Sequence, residues 1–192
     1  MERHHIYLLL FSVILAVAEG AWFQTTVPVK TINYVSSAFS SPKVCVMVGY
    51  NNFFGAIVRT ADSGFGWTVV SNGVSRMTDI STITISSVAY FVAVSFGGSV
   101  YLSSNGGSNF TVVATLPSDL FGVNIGSNNN AYAVGLIPGS TAVSKVYSSS
   151  FDGSGYKDWA DVSPQGVKVN VMKYLILSGR RNERWSVQIY LA

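Results

Sequence analysis

A chain of 192 residues is enough for one ordinary domain. Charged residues make up only 11% of it, against roughly 25% in a typical soluble domain, and no long amphipathic helix is expected in its body. The net charge of +3 comes with no basic stripe interleaved with aromatics, so nucleic-acid binding is not expected.

In chain order, residues 1–20 come first. Arg3 precedes an apolar run from Ile6 to Ala18, and Ala16, Ala18 and Gly20 offer small residues for a cleavage site. The run is short for a membrane span of about 20 residues. It reads as the helix of a secretory signal peptide, with an uncleaved anchor as the alternative and the only membrane attachment expected. No later segment is apolar for long enough to span a bilayer. Both histidines, His4 and His5, leave with the signal, and the remainder keeps one cysteine, Cys45. A Ser-His-Asp triad, a Cys-His pair and a histidine metal site are thereby excluded within one mature chain. Cys45 lies in the apolar run "KVCVMVGY" and is expected to be a buried thiol. A reactive thiol, or one bridging to another chain, is the alternative.

The body is rich in Ser, Thr, Val, Gly and aromatics, a composition for strands and tight turns. Three segments repeat: "KVCVMVGYNNFFGAIVRTADSGFGWTVV", "VAYFVAVSFGGSVYLSSNGGSNFTVV" and "NAYAVGLIPGSTAVSKVYSSSFDGSGYKDWADV". Each has an apolar strand, a Gly- or Asn-containing turn and a second strand ending in Ser or Thr. An acidic or amide residue, a glycine and an aromatic follow. Asp62, Asn105 and Asp152 mark the units, 43 and 47 residues apart, close to the roughly 40–45 residues of a four-stranded propeller blade. "TINYVSSAF", "ISTITISS" and "LFGVNIGS" supply the first strand of each unit. The predicted fold is all-β, a partial propeller of about three four-stranded antiparallel blades. Residues 30–72, 78–115 and 118–163 are assigned to them. Residues 164–192 begin a fourth unit with "VKVNVM" or form an aberrant tail, since no further hairpin follows. Five of the basic residues, Lys168, Lys173, Arg180, Arg181 and Arg184, lie in that tail, as a solvated end or an acidic-partner patch.

Thr60, Asp62, Gly64 and Trp67 fit Ser/Thr-x-Asp-x-Gly-x-x-Trp. Ser103, Asn105, Gly107 and Phe110 fit it with two replacements, and Ser150, Asp152, Gly155 and Trp159 fit it with insertions. The short Asp or Asn side chain accepts backbone N–H groups within its turn, glycine permits positive φ, and the aromatic covers the hairpin. Asp62 is therefore expected to be structural. The pattern resembles the Asp-box of sialidases, sortilin-type receptors and related β-propellers. The longer pattern through "AYAVG", "FVAVSFGGSVYLSSNGGSNF" and "RTADSGFGWTVV" resembles the photosystem II assembly and stability factor family, over residues 30–163. That resemblance implies a seven-bladed propeller, of which three units are present here.

A sialidase would need three arginines, a Tyr–Glu pair and an acid. Arg59 and Arg76 are the only arginines in the repeats, and Glu183 lies outside them. Asp79, Asp119, Asp158 and Asp161 are carboxylates by type only, without the positioned pair that glycosidic chemistry needs. No metal or organic cofactor is implied. Asn109, in Asn-Phe-Thr, is an N-glycosylation sequon in the second hairpin turn. The expected protein is a secreted, non-catalytic propeller module, part of a larger propeller, which binds a protein or glycan through blade loops or open faces. Self-association through those faces is an alternative partner arrangement. The alternative functions are a lumenal photosystem II assembly factor-like protein, reached by a bipartite leader cleaved near Trp22 or Phe23, and a fragment of a carbohydrate-active enzyme.

Overall fold

A computed structural model of the protein describes residues 25–139 and 143–164. The expected signal helix and the expected fourth unit lie outside the described residues. Within them the chain forms twelve strands in three four-stranded antiparallel sheets. The first sheet holds β1 (Asn33–Phe39), β2 (Cys45–Tyr50), β3 (Gly55–Thr60) and β4 (Thr68–Val74). The second holds β5 (Met77–Ile85), β6 (Val88–Ser95), β7 (Ser99–Ser103) and β8 (Thr111–Thr115). The third holds β9 (Asp119–Ile125), β10 (Asn130–Leu136), β11 (Ser144–Ser150) and β12 (Ala160–Asp161). In every sheet the strands pair in sequence order, and β1, β5 and β9 lie next to one another. This is the arrangement of successive propeller blades, with those three strands innermost.

Two apolar layers hold the blades together. Val46, Val48 and Ile57 of the first sheet meet Phe91, Ala93 and Tyr101 of the second. Tyr90, Val92, Val94, Val100 and Leu102 of the second meet Leu120, Ala131, Ala133 and Tyr147 of the third. Successive side chains of a strand point to opposite faces, so β6 serves both layers. That is why "VAYFVAVS" is a continuous apolar run. Strand β10 alternates half-buried and buried residues along "NAYAVGL", and the outermost β4 and β8 have no buried residue.

Each innermost strand carries one irregularity in register, between Tyr34 and Ser36, between Met77 and Asp79, and opposite Val134 and Gly135. These β-bulges push a carbonyl toward the neighbouring strand. A Cβ on Gly49 would lie 2.2 Å from the Asn33 carbonyl oxygen, and one on Gly135 2.4 Å from that of Asp119. The glycine of the repeated "VG" dipeptide is thus required by close backbone approach. The second blade has Ser95 there, fully buried. Strand β5 starts earlier than the alternation of "ISTITISS" suggests, and Ser86 and Ser87 form its turn with φ of 48° and 67°.

Candidate functional site

The turns after β3 and β7 share one hydrogen-bond scheme. The Thr60 hydroxyl donates to Asp62 Oδ1 at 2.7 Å and accepts the Gly64 N–H at 3.0 Å. The Ser103 hydroxyl donates to Asn105 Oδ1 at 2.9 Å and accepts the Gly107 N–H at 3.0 Å. Asp62 and Asn105 also accept the backbone N–H groups of Gly66 and Asn109. The hydroxyl is therefore the centre of the turn, and Thr60 and Ser103 are buried while Asp62 and Asn105 are exposed. The Gly66 N–H and the Thr60 hydroxyl hold the Asp62 carboxyl below the usual carboxylate range. Gly64 and Gly107 have φ of 92° and 80°, the left-handed region that glycine occupies without strain.

The third turn differs from the predicted pattern. Asp152 Oδ1 accepts N–H groups from Ser154 and Gly155, both at 2.8 Å or less, and Ser150 is exposed and outside the scheme. Ser150 faces solvent at the end of β11, and the buried hydroxyl there is that of Ser149, which has no hydrogen-bond partner among the described residues. The Ser154 N–H and hydroxyl lower the Asp152 pKa to about 2. Trp159 packs against the layer between the second and third blades, as Phe110 does between the first and second. Trp67 is half-buried, with its indole N–H unpartnered among the described residues.

The second and third turns lean on the preceding blade. A Cβ on Gly107 would lie 2.4 Å from Val46 Cγ2, and one on Gly155 2.3 Å from Leu102 Cδ2. Arg59 Nε donates to the Gly106 carbonyl at 2.7 Å, locking β3 to the second turn.

The innermost strands meet at Asp79, a residue the sequence marks only as a carboxylate. Its Oδ1 accepts the Ser36 hydroxyl at 2.6 Å and the Ile80 N–H at 2.9 Å, and its Oδ2 accepts the Val123 N–H at 2.9 Å. One side chain thus joins all three blades. Thr78 supports it by donating to the Leu120 carbonyl at 2.9 Å, and the Ser81 hydroxyl accepts the Ile125 N–H at 3.2 Å. The sequence signal is an equal spacing: Ser36 and Asp79 are 43 residues apart and Asp79 and Val123 are 44 apart.

At the end opposite the Asp62 and Asn105 turns, aromatics cross the array. The Arg76 guanidinium carbon lies 4.5 Å from the Tyr50 ring centroid and 5.2 Å from that of Phe96. Phe96 meets Phe121 edge-on, 5.8 Å between centroids. Arg76 Nε is buried without a hydrogen-bond partner among the described residues.

The other singled-out residues lie apart. Asp119 accepts the Gly97 N–H at 3.1 Å. Asp161 pairs with Lys145 at 2.5 Å, which lowers its pKa to about 2. Asp158 is exposed, and so is Asn109. Cys45 is buried, and burial pushes its thiol up to about 11. That leaves little thiolate at neutral pH. Among the described residues no group of His, Cys, Asp and Glu is placed to hold a metal ion. No helix among them is long and apolar enough to cross a membrane.

No protein-family model and no curated protein matches the chain. Solved structures do. YCF48 from Cyanidioschyzon merolae is similar with a TM-score of 0.54 and 19% identity, over 74% of this chain and 40% of that one. The structure of a nidogen/laminin complex is similar with a TM-score of 0.51 and 12% identity, over 72% of this chain and 51% of that one. Both likenesses are to propellers, and they are likenesses of fold. The chain spans about half or less of the length of each.

Proposed function

We propose that this chain is a non-catalytic propeller module that binds or scaffolds a protein or glycan partner and follows the secretory route. The observation that carries the reading is how five of the six described carboxylates are spent, all but the exposed Asp158. Asp62 and Asp152 hold their own turns, Asp79 ties three blades together, Asp119 caps a backbone N–H, and Asp161 pairs with Lys145. Glycosidic chemistry needs two carboxylates facing one bond, and these side chains are engaged in holding the fold. A protein partner is favoured by the likeness to a propeller solved in a protein complex. The turns after β3 and β7 are read as Asp-boxes that shape the array and leave the loops to recognition.

Expression of the full chain with a C-terminal epitope in a eukaryotic secretory host tests the route. The expected result is an epitope in the medium, a new N-terminus near residue 20, and a mobility change on glycan removal that Asn109→Gln abolishes. Cytosolic retention with an intact N-terminus would overturn the secretory reading. Turnover of a panel of aryl glycosides that is lost in Asp158→Asn would overturn the non-catalytic one.

A lumenal photosystem II assembly factor-like role is the second reading, favoured by the fold likeness to YCF48. Incubation with isolated chloroplasts tests it. A shortened form, protected from protease within thylakoids, is its expected outcome, and exclusion from the organelle removes it.

A further inference from the structure

The meander places the β2–β3 turn, the β4–β5 link, the β6–β7 turn and the start of β9 at one end of the array. Tyr50, Arg76, Phe96 and Phe121 form one continuous chain of contacts there, from the first blade through the second to the third. Phe96 and Phe121 are 40% and 43% exposed, and Phe53, in the β2–β3 turn at the same end, is 88% exposed. Large aromatics with this much open surface, grouped around an arginine, have the composition of an interface centre.

The cation at the middle of this chain of contacts has no ion-pair partner among the described residues. Arg76 is part-buried, and its Nε has no hydrogen-bond partner among the described residues. The ion pairs among the described residues join Lys145 to Asp161 and Lys157 to Asp152, and neither involves Arg76. Asp119 is at this end, but its carboxylate is turned to the Gly97 N–H. Two rings supply cation–π attraction, which leaves the hydrogen-bonding capacity of the guanidinium unused. A planar guanidinium in contact with two rings is restrained, and a carboxylate matches its fork with two parallel hydrogen bonds.

We propose that this end of the array is a docking surface for a protein segment that carries an Asp or Glu side chain next to apolar residues. The carboxylate meets the Arg76 guanidinium, and the apolar neighbours lie on Phe96, Phe121 and Phe53. This rests on the reading of the chain as a protein-binding module and adds the surface and the chemistry of the partner.

The test is selection of a displayed random dodecapeptide library on the immobilised full chain, followed by binding of the enriched peptides made synthetically. The expected peptides carry Asp or Glu beside Leu, Phe or Trp. Replacing that acid by Asn or Gln should weaken binding about tenfold, a measurement that leaves the protein untouched. Arg76→Gln should weaken it as much. Arg76→Lys should give a smaller loss, because it keeps the charge without the fork. Phe53→Ser, at a solvent-facing position that leaves the core intact, should weaken binding severalfold. Enriched peptides that bind Arg76→Gln and Phe53→Ser as tightly as the parent overturn this surface and leave the module reading standing. Enriched peptides without an acid overturn the carboxylate chemistry. A library that enriches nothing overturns this surface and its carboxylate chemistry, and leaves a glycan partner for the module.

Discussion

At the scale of single residues, the two well-formed turns assign the work to a hydroxyl. Thr60 and Ser103 each satisfy a buried glycine N–H and orient the neighbouring acceptor. Thr60→Ala should lower stability by about 1–3 kcal/mol, the cost of a buried donor left unpaired, and Thr60→Ser should restore it, both read from urea unfolding midpoints. Asp62→Asn should change the midpoint little, because the second turn already uses Asn105 in the same role. The carboxylates also set the acid limb of stability. Asp152 and Asp161 titrate at about 2 in the folded protein and near 3.9 when unfolded. Their contribution is therefore complete above about pH 4 and is lost as the pH falls through about 2. Unfolding midpoints should drop across that window, and Asp152→Asn should flatten the drop. The sequence showed the Asp, Gly and aromatic positions through their spacing. It did not show that the hydroxyl is the hub, because the strand-end Ser and Thr look like ordinary β-formers.

Between elements, the joints are glycines, one aspartate and two arginines. Gly64→Ala meets only the φ of 92°, with Trp67 atoms 4.0 Å away, and should cost about 1–2 kcal/mol. Gly107→Ala adds a 2.4 Å approach to Val46 Cγ2 in the preceding blade. It should cost clearly more, about 2–4 kcal/mol when overpacking is included, with denaturant midpoints again deciding the order. Asp79→Ala should cost roughly 2–4 kcal/mol, since it removes three hydrogen bonds to a charged group and strands the buried Val123 N–H. Scanning calorimetry should show that loss, and Asp79→Asn should recover part of it. The strands themselves were legible where one face is buried, as the alternation of β10 shows. The fourfold meander was legible from its repeat length. Asp79 and Arg76 were not legible as joints, because their partners lie in neighbouring blades and local pattern carries no such information. The bulges are hidden for the same reason: only the "VG" glycines hint at a carbonyl pressing in from the next strand.

At the scale of the whole molecule, the three blades are not equivalent. The middle sheet is sandwiched, with Phe91 and Ala93 packed on one side and Tyr90, Val92 and Val94 on the other. In a repeat array, stability is approximately a sum of unit terms and neighbour terms, and only the middle sheet here collects two described neighbour terms. Its backbone should therefore be the last to open to solvent. In hydrogen–deuterium exchange, the amides of β6 and β7 should be the slowest in the chain, and those of the two-residue β12 should exchange early. A uniform exchange rate across the three sheets would mean that the array opens in one step. A graded pattern would mean that the outer blades fray and rejoin while the centre stays closed, so that the protein breathes from its flanks inward.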